Sequence, residues 1–248
     1  NGLFDSGEQP ISGVALQLYQ DSNGNGSFDL GVDTLVSSTT TSSTGYYSFT
    51  NLAPTVNANS TYLVVVANSN FNSNFNGVLA NYRNSNGNGS SAPDPDSNSI
   101  DNDDNGDEIG SYGTANFVVA SKAFSLTVAA EPTGESAGHG GNDPTIDAHS
   151  NLTIDFGFYK LSVGNLVWED SNNNGQKESN EFGLSGVTVQ LLDAGNSVIS
   201  STVTDASGQY TFTGLVSGTY AIQVTPPSAA YQSSSSTINN DGSNNSDH

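Results

Sequence analysis

The chain has 248 residues, 33% hydrophobic and 12% charged, with no Cys and a formal charge of -21 from four Lys plus Arg against 25 Asp plus Glu. That length suits one large β domain or two of about a hundred residues each; the acidic surface excludes nucleic-acid and anionic-lipid binding, which rest on Lys and Arg, and the lack of Cys excludes disulfides and cysteine zinc sites. No apolar run approaches the roughly 20 residues of a membrane span and no basic-plus-apolar leader opens the chain, while the Gly, Asn, Ser and Thr remainder, mixed with Val, Tyr and Phe, predicts an all-β fold.

An order of features running from Asn1-Gly2 to Leu52 recurs from Asn174-Gly175 to Leu215. Gly13-Val14-Ala15-Leu16-Gln17-Leu18 matches Gly186-Val187-Thr188-Val189-Gln190-Leu191, and Gly45-Tyr46-Tyr47-Ser48-Phe49 matches Gly208-Gln209-Tyr210-Thr211-Phe212. Their period-two alternation predicts half-buried antiparallel strands, with Val187, Val189, Leu191, Tyr210, Phe212, Tyr220, Ile222 and Val224 in the core. The offset between copies falls from 173 at Gly13 and Gly186 to 163 at Gly45 and Gly208, which places ten extra residues at Asp21 to Asp33 or close to it.

Copy one continues through a Gly, Asn and Asp-rich stretch from Asn84 to Gly110, a predicted strand over 116–128, a second Gly-rich loop and the segment Leu152 to Tyr159. Copy two opens on Leu161 to Trp168, a strand whose counterpart before Asn1 is absent, and stops at His248. Two domains are therefore expected, 1–160 lacking its first strand and 161–248 truncated at its C-terminal end. A sandwich missing that strand leaves a groove of unpaired backbone groups, so the expected partners are further copies of the repeat, in the same chain or as neighbouring subunits of a fibre.

Val163-Gly164-Asn165-Leu166-Val167-Trp168-Glu169-Asp170, then Asn174-Gly175, Gly183-Leu184-Ser185-Gly186-Val187, Gly208-Gln209-Tyr210-Thr211-Phe212 and Gly218-Thr219-Tyr220 resemble the B-type repeat of serine-aspartate-repeat bacterial surface proteins, a relative of the B-type repeat of collagen-binding adhesins. Each motif alone is weak; their order is specific and covers most of the chain. The resemblance implies tandem immunoglobulin-like β-sandwiches of Greek-key, prealbumin-like topology with long acidic loops, stabilised by calcium and serving as stalk or spacer at the cell surface. It does not extend to the Lys to Asn isopeptide bond of the adhesin relatives, since Leu161 to Trp168 contains no Lys.

The strongest chemical signal is Asp170, Asn172, Asn174, Gly175, Gln176, Glu178 and Glu181, which occupy positions 1, 3, 5, 6, 7, 9 and 12 of an EF-hand-like loop. Calcium takes six to eight oxygens, so such a loop needs Gly at the sixth position, a backbone carbonyl at the seventh and a closing carboxylate at the twelfth. Asp21, Asn23, Asn25, Gly26, Ser27, Asp29 and Asp33 repeat the pattern with the closing acid one place late, and Asn1-Gly2, Asp5 and Glu8 match its back half. A third acidic stretch holds Asp94, Asp96, Asp101, Asp103, Asp104, Asn105, Asp107 and Glu108; Asp101, Asp103, Asn105 and Asp107 are its candidate ligands, against a solvated loop rich in Pro and Gly. Neutral Asn ligands imply weak binding, on the order of 0.1 to 1 mM, as in extracellular modules.

Enzyme motifs carry little. Gly134-Glu135-Ser136-Ala137-Gly138 beside His139 has the spacing of a nucleophile elbow, but Pro132 before and Gly140-Gly141 after deny it a strand and a helix. Asp155-Phe156-Gly157 copies a kinase triplet without the other kinase signatures and is expected inside a strand, with Phe156 and Phe158 on one face. Trp168, the sole Trp, is expected to cover one end of the sandwich beside the Asp170 loop, a sugar-stacking platform being the sharper alternative. A structural stalk or fibre is the leading function. An adhesin or carbohydrate-binding module, with Phe71, Phe75 and Tyr82 as its apolar patch, is the alternative, and an accessory domain of a secreted enzyme the third.

Overall fold

Leu16 and Leu18 alternate with Ala15, Gln17 and Tyr19, and in the computed structural model that alternation becomes β1 (Ala15–Gln20), with both leucines buried. The structure describes residues 2–72, 77–85, 91–97, 103–132, 149–216 and 218–234. The chain divides into two compact units, Asn1–Tyr159 and Lys160–His248.

In the first unit β1 lies between β2 (Thr34–Thr40) and β3 (Tyr62–Val66). A further short strand is β4 (Tyr82–Asn84), and beyond β3 stand β5 (Asp107–Ile109) and β6 (Val118–Ala120). Five antiparallel strands thus run in the order β2-β1-β3-β6-β5. The continuous apolar run Tyr-Leu-Val-Val-Val of β3 is what burial on both faces requires. Tyr62, Val64 and Val66 join Leu16, Leu18, Phe117 and Phe124 in the main core, while Leu63 and Val65 pack with Phe28 on the other face. Phe28 comes from the Asp21 to Asp33 insertion, so this loop also covers sheet; its ring meets Tyr19 edge-on at 4.8 Å.

β7 (Phe158–Leu166) begins in the first unit and continues into the second, which adds β8 (Thr188–Leu192), β9 (Val198–Val203), β10 (Gln209–Leu215) and β11 (Ala221–Thr225). Leu161 to Leu166 pairs antiparallel with β10, and β8 lies between β11 and β9. Val187, Val189 and Leu191 are fully buried as the alternation requires; Phe212 joins Val189 and Leu191, and Val167, Tyr210, Tyr220 and Ile222 pack against them. The chain is all-β, with antiparallel sheets and immunoglobulin-like sandwich architecture.

One corner is built identically in both units. The Thr41 hydroxyl donates to Ile11 O and accepts the Val14 N–H, and the Thr204 hydroxyl donates to Leu184 O and accepts the Val187 N–H. Gly45 and Gly208 close the following turn with the same φ of 82°, a left-handed conformation that glycine adopts without strain.

Several expectations are corrected. Val224 pairs with buried Val189 yet is 41% exposed: among the described residues β11 has no strand on its outer side, whereas its counterpart β3 is flanked by β6. The strand expected over 116–128 is reduced to Val118–Ala120, since the Ser121 hydroxyl takes the Val64 N–H; an isolated bridge between Tyr62 and Phe124 follows. Asp155-Phe156-Gly157 lies just before β7 rather than inside a strand, with the Asn105 side chain taking the Asp155 N–H where a strand would offer a carbonyl. Phe156 and Phe158 do both pack on the main core. Residues 45–52 form no strand, whereas the matching segment is β10.

Candidate metal loops

The Asp21 loop joins β1 to β2, and the Asp170 loop leads from β7 toward β8. Although they sit at different places in the fold, the two chains curl by one scheme. Asp21 directs both carboxylate oxygens inward to the N–H groups of Gly24, Asn25 and Gly26. Asp170 does the same for Asn174 and Gly175. The Asn at position 3 accepts from the N–H of position 5 in each loop, Asn23 from Asn25 and Asn172 from Asn174. The Asn at position 5 accepts from position 7, so Asn25 takes the Ser27 N–H and Asn174 the Gln176 N–H. Their amide groups donate onward to the acid at position 9, Asn25 to Asp29 and Asn174 to Glu178. Gly26 and Gly175, at position 6, have φ of 82° and 75°, which explains the need for Gly there.

The closing acids do equivalent work. Asp33 accepts the N–H groups of Ser22 and Asp29, and Glu181 those of Ser171 and Glu178. The first loop has one more residue, and its closing side chain one fewer methylene, so the shift of the closing acid is compensated by side-chain length. The back-half match behaves likewise: Gly2 has φ 75°, and the Asp5 N–H donates to Glu8 Oε2 as the Glu178 N–H does to Glu181 Oε2.

Hydrogen bonds favour the charged carboxylates. The Asn23 and Asn25 amides hold Asp29 below the ordinary carboxylate range, and the Asn174 amide does so for Glu178. At Asp170 burial works against the charge, but the N–H groups of Gly175 and Asn174 outweigh it. Glu178 Oε2 is shielded from solvent and has no hydrogen-bond partner, an oxygen of the type a hard cation seeks. Among the described residues no three His, Cys, Asp or Glu side chains are gathered as a metal cluster; the two loops present Asn and backbone oxygens beside their carboxylates. Sequence reading missed Lys177, whose Nζ donates to the carbonyls of Glu178 and Glu181. Its signal was a lone Lys inside an acidic loop.

The third acidic stretch is engaged piecemeal. Asp101 lies outside the described residues. Asp103 bridges Leu3; Asn105 is fully buried and locked to Asp155 through its backbone N–H and side-chain oxygen; Asp107 accepts the Ala92 N–H from β5. Asp94 caps the Asp96 N–H, Asp96 accepts from Ser125, and Glu108 pairs with Arg83. Asp104 is buried, accepts the Gly106 N–H and has its carboxyl pushed up to about 7, chiefly by desolvation.

The other sequence candidates divide. Ser136 and His139 lie outside the described residues, as does Phe75. Phe71 is 5% exposed and T-stacked on Phe117, and Tyr82 is half-buried, so these two offer no open apolar patch. Trp168 is half-buried beside the Asp170 loop, bridged to Gly183 with its indole N–H shielded and unpartnered. No helix among the described residues is long and apolar enough to cross a membrane.

Comparison with known proteins matches residues 161–248 to the family model described as the SdrD B-like domain. The serine-aspartate repeat-containing protein D of Staphylococcus aureus (strain Newman) is 46% identical over 86 residues, 34% of this chain and 6% of that protein. The serine-aspartate repeat-containing protein F of Staphylococcus epidermidis is 46% identical over 99 residues, 39% of this chain and 6% of that protein. The chain thus spans a small fraction of the length of the relatives it matches. The matched segment contains the Leu161 to Leu166 strand, the whole Asp170 loop and β8 to β11, so residues 161–248 are a B-type repeat of the serine-aspartate-repeat proteins.

Proposed function

We propose that this protein is a structural, calcium-stabilised repeat of an extracellular or cell-surface stalk or fibre. The supporting observation is the shared hydrogen-bond scheme of the Asp21 and Asp170 loops at unrelated places in the fold. Asp21, Asn23, Asn25, Asp29 and Asp33 would hold one ion with the Ser27 carbonyl; Asp170, Asn172, Asn174, Glu178 and Glu181 would hold another with that of Gln176. Bound calcium would balance the charge of the loop carboxylates and tie the loop to the ends of its strands. A stiff, non-catalytic spacer is the use this serves, and kinship to serine-aspartate repeat proteins supports a cell-surface location.

Calorimetric titration of calcium into the decalcified chain tests the reading. Binding at two or more sites with submillimolar to millimolar affinity, in preference to magnesium, is expected. A flat titration up to 10 mM, roughly ten times the weakest expected dissociation constant, refutes it.

A further inference from the structure

The two metal loops differ at position 8, which supplies no ligand in a loop of this type. In the Asp21 loop it is Phe28, 5% exposed and packed with Leu63, Val65, Val118 and Ala120 on the sheet. In the Asp170 loop it is Lys177, which is half-buried and turned back onto its own loop. Its Nζ donates to the carbonyl oxygens of Glu178 at 2.8 Å and Glu181 at 2.7 Å.

The turn that Lys177 clamps carries the acids of positions 9 and 12. The Glu181 N–H donates to Glu178 O across it at 3.2 Å, and the Lys177 ammonium is the second donor to that oxygen. The first loop makes the corresponding turn from backbone alone: Asp29 O accepts from both the Val32 and the Asp33 N–H, each at 3.1 Å. Its extra residue supplies the second donor, and in the shorter loop Lys177 supplies it. An ammonium brings three donors and a charge, and hydrogen bonds from a charged donor are the stronger kind. Each loop contributes three carboxylates, Asp21, Asp29 and Asp33 in one and Asp170, Glu178 and Glu181 in the other, but only residues 170–181 include a basic side chain to offset them.

We propose that Lys177 is an internal counter-cation of the Asp170 loop: it holds the Glu178 to Glu181 turn closed while the loop is empty and, by the same charge, weakens the loop's affinity for a divalent cation. The inference rests on the calcium reading of that loop. Repulsion between an ammonium and a divalent ion held a few ångströms beyond the Glu178 and Glu181 carboxylates, in a water-like and salt-screened medium, is worth a factor of about two to six in the dissociation constant. The two loops then divide the work. The Asp21 loop, with its position 8 buried in the sheet and no cation of its own, takes calcium at lower concentration; the Asp170 loop keeps its shape without the ion and fills only as calcium rises.

The test follows melting of the full chain by the emission of Trp168, which reports the second unit, across a calcium series for wild type, Lys177→Met and Lys177→Arg. In chelator, Lys177→Met should melt at least about 5 °C below wild type, because two charge-assisted hydrogen bonds are lost. Its melting should then climb more steeply with calcium, giving a dissociation constant at least about twofold tighter and narrowing the gap at saturation. Lys177→Arg keeps the charge and should keep the wild-type dissociation constant. A strut without an electrostatic role would lower the melting temperature and leave the affinity alone. With a wild type that responds to calcium, unchanged melting of Lys177→Met in chelator, an affinity unchanged or weakened in that variant, or equal tightening by Lys177→Arg would each overturn this proposal alone. A wild type that calcium does not stabilise would overturn the calcium reading and the proposal with it.

Discussion

Glu181→Gln separates the closing acid's structural role from its cation role. Glu181 is 4% exposed, and its two oxygens take the Ser171 and Glu178 N–H groups. Glutamine keeps one acceptor and turns an NH2 toward the other N–H, so one hydrogen bond to a charged group, about 1.5–3 kcal/mol, is lost without calcium. In calcium at a hundred times its dissociation constant the wild type gains a further 2.7 kcal/mol or so per site, which the variant should largely forfeit. For a unit of this size each kcal/mol moves the melting temperature by roughly 4–8 °C, so calcium should raise the wild-type transition by about 10–20 °C and the variant's by only a few. Trp168 is the sole Trp and lies in the second unit, so its fluorescence reports that unit's melting with and without chelator. An equal calcium-dependent shift in wild type and Glu181→Gln would refute the assignment of Glu181. No shift in either would remove calcium from the account.

Thr204→Val keeps the shape of a buried side chain but orphans the Val187 N–H and Leu184 carbonyl, and should cost about 2–4 kcal/mol in denaturant titrations followed by Trp168; a loss below about 0.5 kcal/mol would deny the corner its role. Thr41→Val should cost a similar amount by circular dichroism while leaving the Trp168 transition in place. Gly164→Val in the full chain should detach the strand from β10 and shift Trp168 emission to the red, because its Cβ meets the Tyr210 carbonyl oxygen; unaltered emission and melting would contradict that contact. Asp104, buried with a carboxyl pushed up to about 7, binds a proton in the folded state that the unfolded chain has released by about pH 5. Chelator-treated protein should therefore lose stability in the first unit as pH rises from 5 to 8, by roughly 3 kcal/mol, and Asp104→Asn should flatten that slope; an unchanged slope in the variant would assign it to other groups.

Period-two alternation, a local property of which side chains share a face, was sufficient to locate β1, β8 and β10 and the buried residues Val187, Val189, Leu191 and Phe212. The loop pattern was legible for the same reason: position 6 needs φ above zero, and positions 1, 3, 5, 9 and 12 need short oxygen-bearing side chains, requirements met within a dozen residues. Tertiary structure alone decided what depends on neighbours distant in the chain. Val66 and Val224 occupy matching strand positions, yet Val66 is buried by the flanking β6 and Val224 is open at an edge. Asn105 reads as a ligand by composition, but Asp155, fifty residues on, claims its side chain. The same dependence separates Tyr47 to Leu52 from β10. Their sequences ask equally for a strand, and among the described residues only β10, with Leu161 to Leu166 beside it, forms a paired ladder.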